Sequence, residues 1–245
     1  MSTFLGLMLV SALALVVSPI QSLADPERNN SALEPFSRRL QIVLNSDDVL
    51  QFDNVVGAQL QPELLQRYQR FRKDFPEVTW RVEQASPLAD GRETLLLRVS
   101  GDSESGGLRF RLEAMERIAI RLDDGRISDQ ELIAHESMLL SGERPLAVTV
   151  QIPDTVLTGS RYDIDLIVDE PLDQALVAAG LIDVTHQSME DRLRPNVRLA
   201  PMGGGGLFKS VQAPQLPGSQ TWAVILVHPD GVVTATRKVR VVNSL

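Results

Sequence analysis

From Leu108 to Leu122 the even positions carry Leu108, Phe110, Leu112, Ala114, Ile118, Ile120 and Leu122, while Arg109, Arg111, Glu113, Arg117 and Arg121 hold odd positions. A period of two sends alternate side chains to opposite faces, so this stretch reads as a strand with one buried and one wet face. At ~3.3 Å per residue it would run to roughly 50 Å, longer than ordinary strands, so a bend or bulge is expected. Glu116, a lone charge in the apolar register, marks the expected break, with its side chain turning to solvent. Asp123-Asp124-Gly125 supplies a hairpin turn, and Arg126 to Leu140 returns as the partner strand.

Upstream the period is helical. Phe36, Leu40, Ile42, Val43 and Leu44 form a pattern that begins at Pro35 and stops near Asn45-Ser46-Asp47-Asp48, and a second short segment covers Val49 to Val56. Gln61-Pro62-Glu63 opens a clearer helix, with proline in the first turn where its missing N–H costs nothing. Leu64, Tyr68, Phe71 and Phe75 share one face, and Pro76 ends the helix. "EVTWRVEQ" then places Val78, Trp80 and Val82 on one side of a strand, and "RETLLLRVSG" continues in extended form.

Helices followed by long antiparallel strands, with "LQRYQRFRKDF" before "RFRLEAMERIAIRLDDGRIS", resemble the nuclear transport factor 2-like (cystatin-like) cone across about Ser31 to Ser141. The resemblance implies a curved sheet wrapped around a long helix. Proteins of that fold include isomerases, dehydratases and catalytically silent binding modules, so the fold alone chooses no activity.

Beyond Gly142-Glu143-Arg144-Pro145 the chain reads as short strands at 146–152, 161–168, 181–185, 196–199, 207–212, 221–227 and 232–242, parted by Pro, Gly and Asp turns. The expected class is therefore α+β: a helix-plus-curved-sheet domain at 35–142, then an all-β immunoglobulin-like sandwich at 143–245. "YDIDLIVD" sets Tyr162, Ile164, Leu166 and Val168 against acids, as a half-solvated strand should. The wording "VLTGSRYDIDLIVDEPL" with "GGGGLFKSVQAPQLPGSQTWAVILVHPDG" is similar to uncharacterised exported proteins of cyanobacterial type, which implies location and not activity.

Composition removes several classes. A formal charge of −8 argues against nucleic acid, whose binders need basic surface. The absence of cysteine excludes disulfides, zinc thiolates and thiol nucleophiles. Residues 1–24 carry no charged side chain, hold an apolar run from Phe4 to Val17, and end in Ser22-Leu23-Ala24, a signal-peptide pattern lacking the usual basic start. An uncleaved anchor is the competing reading. Residues 25–34 read as a flexible leader, and the mature chain as periplasmic, secreted or lumenal to thylakoids.

"PMGGGGLFKS" comes near the phosphate-binding pattern G-x-x-x-x-G-K-[ST], but Phe208 stands where glycine must precede Lys209, and Pro214 blocks the helix that should follow. Either these glycines make a tight connection, or Leu207 and Phe208 offer apolar side chains to a partner. His135, His186 and His228 have no metal spacing, and His186 with Asp183, Glu190 and Asp191 defines no geometry. If the cone is right, Tyr68, Trp80, Glu116 and His135 could face one pocket, with a carboxylate serving as general acid or base. The competing reading makes Tyr68 and Trp80 core aromatics.

No motif assigns a catalytic residue, cofactor or metal. The reading is an exported, non-catalytic binding or assembly protein whose partner is another exported or envelope protein. Two alternatives stay open: a small-molecule enzyme or carrier using the cone, and a membrane-tethered structural protein that keeps its leader.

Overall fold

The computed structural model describes residues 30–46, 48–142, 146–170, 175–184, 197–202 and 205–244. The signal peptide or anchor at 1–24, leader residues 25–29, the linker 143–145, His186, Glu190, Asp191, Gly203 and Gly204 lie outside them. The fold is mixed α+β and dominated by antiparallel sheet. Two compact units divide the described residues within the long strands: one holds those from Asn30 to Ser103 plus Glu113–His135, the other Glu104–Leu112 and those from Glu136 onward.

In the first unit, α1 (Asn30–Leu44) begins earlier than the apolar pattern suggests. Residues 30–34, expected as leader, form its first turns, and Leu33 is buried; Pro35 sits inside the helix. A 3-10 turn (Val49–Asn54) follows, its first N–H groups met by Asp48, whose Oδ1 accepts from the Leu50 N–H at 3.0 Å. The second helix, α2 (Gln61–Asp74), buries Leu64, Tyr68 and Phe71. Four strands follow in sequential order: β1 (Glu77–Ala85), β2 (Glu93–Ser105), β3 (Leu108–Asp123) and β4 (Arg126–Gly142). The β3–β4 turn needs Asp124 and Gly125 at φ 48° and 72°, the left-handed pair that a two-residue hairpin demands.

One expectation fails in β3. Leu112, Ala114, Glu116, Ile118 and Ile120 are all buried in one unbroken register, so Glu116 marks no bulge and does not turn to solvent.

Among the described residues β1 has a strand neighbour only in β2, and α1 packs against it. Two side chains four residues apart, Gln41 in α1 and Asn45 just past its end, bond to the edge of β1. Asn45 donates from Nδ2 to the Trp80 carbonyl at 2.8 Å and accepts from the Trp80 N–H at 2.9 Å, while Gln41 Oε1 accepts from the Val82 N–H at 2.9 Å. The helix thus does for β1 what another strand would have done.

The second unit contains β5 (Val148–Gln151), β6 (Thr155–Leu157), β7 (Arg161–Val168), β8 (Ala178–Asp183), β9 (Ala200–Pro201), β10 (Gly206–Gln212), β11 (Gly218–His228) and β12 (Gly231–Val242). The C-terminal part of β4 pairs with β12, followed by β11, β8 and β9, and β6 joins β12 in parallel. A separate three-stranded sheet has the order β10-β7-β5. Tyr162, Ile164 and Leu166 of β7 share one apolar core with Trp222, Val224 and Leu226 of β11 and Val233, Val239 and Val241 of β12. β6, absent from the sequence reading, is too short to show a period of two.

Candidate partner-binding face of the three-stranded sheet

Residues directly opposite in an antiparallel pair point to the same face. The inner row of the small sheet is fixed by Leu207 and Val211 of β10, Ile164 and Leu166 of β7, and Val150 of β5, all of which pack into the core. The outer face therefore carries the row Phe208, Asp165 and Gln151, flanked by the row Gly206, Ile167 and Thr149 and by the pair Ser210 and Asp163. Phe208 stands 65% exposed on it.

Of the two residues expected to meet a partner, only Phe208 is available. Leu207 is turned to the core, because neighbours on a strand face opposite ways, and both lie in β10 instead of a loop.

β10 also disposes of the phosphate-loop reading, since Lys209 and Ser210 continue in a strand against Ile164 and Asp163 where a helix would have to begin. Gly206 has a steric role. A Cβ there would run into the Leu166 carbonyl and come within 3.0 Å of the Phe208 ring, so the absent side chain lets the ring lie over the strand.

Beside this face an open cleft of about 490 Å³ is lined by Val150, Gln151, Ile152, Pro153, Asp163, Asp165 and Arg237. Arg237 is held at 2.7 Å by Asp154 and at 3.0 Å by Glu136, so its charge is already offset. Neither Asp163 nor Asp165 has an ion-pair partner among the described residues. The cleft is consequently anionic.

A polar chain braces the same unit. Trp222 Nε1 donates to the Tyr162 hydroxyl at 2.7 Å, that hydroxyl donates to Gln220 Oε1 at 2.8 Å, and Gln220 Nε2 donates to Asp183 at 3.2 Å. Desolvation raises the Asp183 carboxyl above its ordinary value of 3.8, against the pull of the Gln220 amide and the Thr221 N–H. The Tyr162 hydroxyl is raised as well, first by desolvation, with the Asp183 charge adding to it.

The four residues expected around a cone pocket are put to different uses. The Tyr68 hydroxyl lies 2.9 Å from the Leu44 carbonyl and 3.0 Å from that of Ser46, so it serves the C-terminal end of α1. Trp80 is buried in a T-shaped contact with Phe71, and its Nε1 has no hydrogen-bond partner among the described residues. Glu116 and His135 are brought together: Oε1 meets Nδ1 at 3.1 Å, both side chains are 1% exposed, and Glu116 Oε2 has no hydrogen-bond partner among the described residues. Neither residue lines the cleft.

Among the described residues no group of His, Asp and Glu could hold a metal ion, and no helix is long and apolar enough to cross a membrane. The sequence reading missed Gln151 and Arg237 and took the acids of β7 only as the wet side of a strand. The alternation in "YDIDLIVD" gave their direction; what it lacked was the neighbouring strands.

Comparison with known proteins adds one match. A family model described as a domain of unknown function (DUF8623) matches residues 143–242, a span that includes β5 to β12. No curated protein matches the chain.

Proposed function

We propose that this chain is an exported, non-catalytic binding or assembly protein, and that the outer face of the β10-β7-β5 sheet is where its partner docks. The observation that carries this reading is Phe208, a large aromatic side chain held 65% exposed over Gly206 on a sheet face with no covering element among the described residues. Aromatic side chains fixed on rigid scaffolds are what interfaces use as anchors, because they bury much area at little entropic cost. We read the second unit as an immunoglobulin-like sandwich, supported by the core shared between its two sheets, and the first as a nuclear transport factor 2-like cone, supported by two helices beside four sequential strands. Export rests on the uncharged, apolar residues 1–24.

The test is a native mass spectrum of the protein isolated from its host's envelope fraction, wild type beside Phe208→Ala. This reading requires a protein-sized addition that the variant loses; an addition that survives Phe208→Ala, or a small-molecule addition alone, contradicts it.

A second reading, a small-molecule enzyme or carrier, draws on the buried Glu116–His135 contact and the unpartnered Glu116 Oε2. Buried polar atoms normally find partners, so an orphaned carboxylate oxygen is a place for a bound polar group. A small-molecule addition in the same spectrum, lost on Glu116→Gln, would move the function there.

A further inference from the structure

We propose that the partner presents an extended segment bearing arginine or lysine two positions from an apolar residue, the cation entering the cleft at Asp163 and Asp165 and the apolar side chain covering Phe208. This rests on the docking reading above and names the chemistry of the partner.

Spacing and charge carry the inference. Asp165 lies directly opposite Phe208 across the β7–β10 pair, and Asp163 is two residues along the same face. Partner side chains two positions apart, which share one face of an extended segment, therefore meet the ring and a carboxylate together. The cleft brings Asp163, Asp165 and Arg237 to one volume, and Arg237 is already engaged by Glu136 and Asp154. Two carboxylates thus face a cleft whose lining cation, Arg237, is committed to Glu136 and Asp154, with Arg161 at the far end of the same β7 face. An anionic segment would be repelled; a cationic one is drawn in, helped by the chain's formal charge of −8.

Two other occupants fit less well. A second copy docking through the same face would bring Asp163 and Asp165 against their own equivalents, at the cost of like-charge contact. Simple strand addition at the free edge of β10 is opposed by Lys209, a charge set in the inward register between Leu207 and Val211.

The probes are two fluorescein-labelled pentapeptides, one with serine at positions 1, 3 and 5, leucine at position 2 and arginine at position 4, the other with glutamate in place of the arginine, followed by anisotropy against the full chain. The arginine peptide is expected to bind at about 20 mM salt and to weaken as salt approaches about 0.5 M. Asp163→Asn with Asp165→Asn should weaken it about tenfold at low salt, because each exposed carboxylate contributes modestly. The glutamate peptide should not bind. Equal binding of both peptides, no binding of either, or no effect of the double substitution overturns the cationic partner. If the arginine peptide is lost on Phe208→Ala but indifferent to the aspartates, the docking face stands and only its charge preference fails. Loss of the protein-sized addition's dependence on Phe208, measured separately on native material, would sink the face itself.

Discussion

Glu116 Oε1 lies 3.1 Å from His135 Nδ1 inside the first unit, on residues 19 positions apart in the chain. Taking a carboxyl side chain out of water is costly unless partners answer it, and here one oxygen is answered and the other, among the described residues, is not. His135→Leu should therefore cost about 3–5 kcal/mol in urea unfolding, the range for breaking a buried polar pair by removing one partner. Replacing both residues by leucine should cost less than the sum of the two single changes. Strict additivity would mean that the pair is not coupled.

Asn45 and Gln41 finish the edge of β1, so removing them should expose particular amides and leave the rest of the sheet protected. Asn45→Ala is expected to cost about 1–3 kcal/mol, the penalty for a buried backbone group left unpaired. Hydrogen exchange should quicken at Trp80 in this variant, and at Val82 in Gln41→Ala. Quickening spread evenly over β1 and β2 would show that the helix merely shields the strand.

Asp183 makes stability depend on pH with a sign opposite to that of a salt-bridged carboxylate. Its folded value is raised above 3.8 by desolvation, so the unfolded chain ionises first as pH rises. The resulting penalty is absent below 3.8 and fully present once pH exceeds the folded value. Asp183→Asn, which keeps an oxygen for the Gln220 amide, should raise the unfolding midpoint at neutral pH, and that advantage should vanish on acidification below the carboxylate range. An advantage that persists in acid would assign the effect to packing.

Period and punctuation carried much of the fold. β7 runs from Arg161 to Val168 as its alternation implies, and α2 begins at Gln61 and stops before Pro76 for the reasons written in its first turn and its end. Other features depend on tertiary partners that one segment cannot reveal. Glu116 looks like a register break because no local pattern announces His135 across the hairpin. Asn45 reads as a helix stop, and only the arrival of β1 gives its amide a second task. Leu207 and Phe208 are equally apolar in sequence; pairing with β7 decides that one faces the core and the other water. The binding face was half legible for the same reason: alternation sorted the acids from the apolar residues, but their convergence with Arg237 needed strand order.

The most direct test places a photo-crosslinking phenylalanine analogue at position 208 and, as a control, at Leu50, an exposed apolar site on the other unit. Irradiation in the native envelope should give one discrete protein adduct from position 208 and none from position 50, with the adduct suppressed by Asp163→Asn and Asp165→Asn. No adduct at 208, or the same adducts from both positions, would contradict a docking face on the β10-β7-β5 sheet.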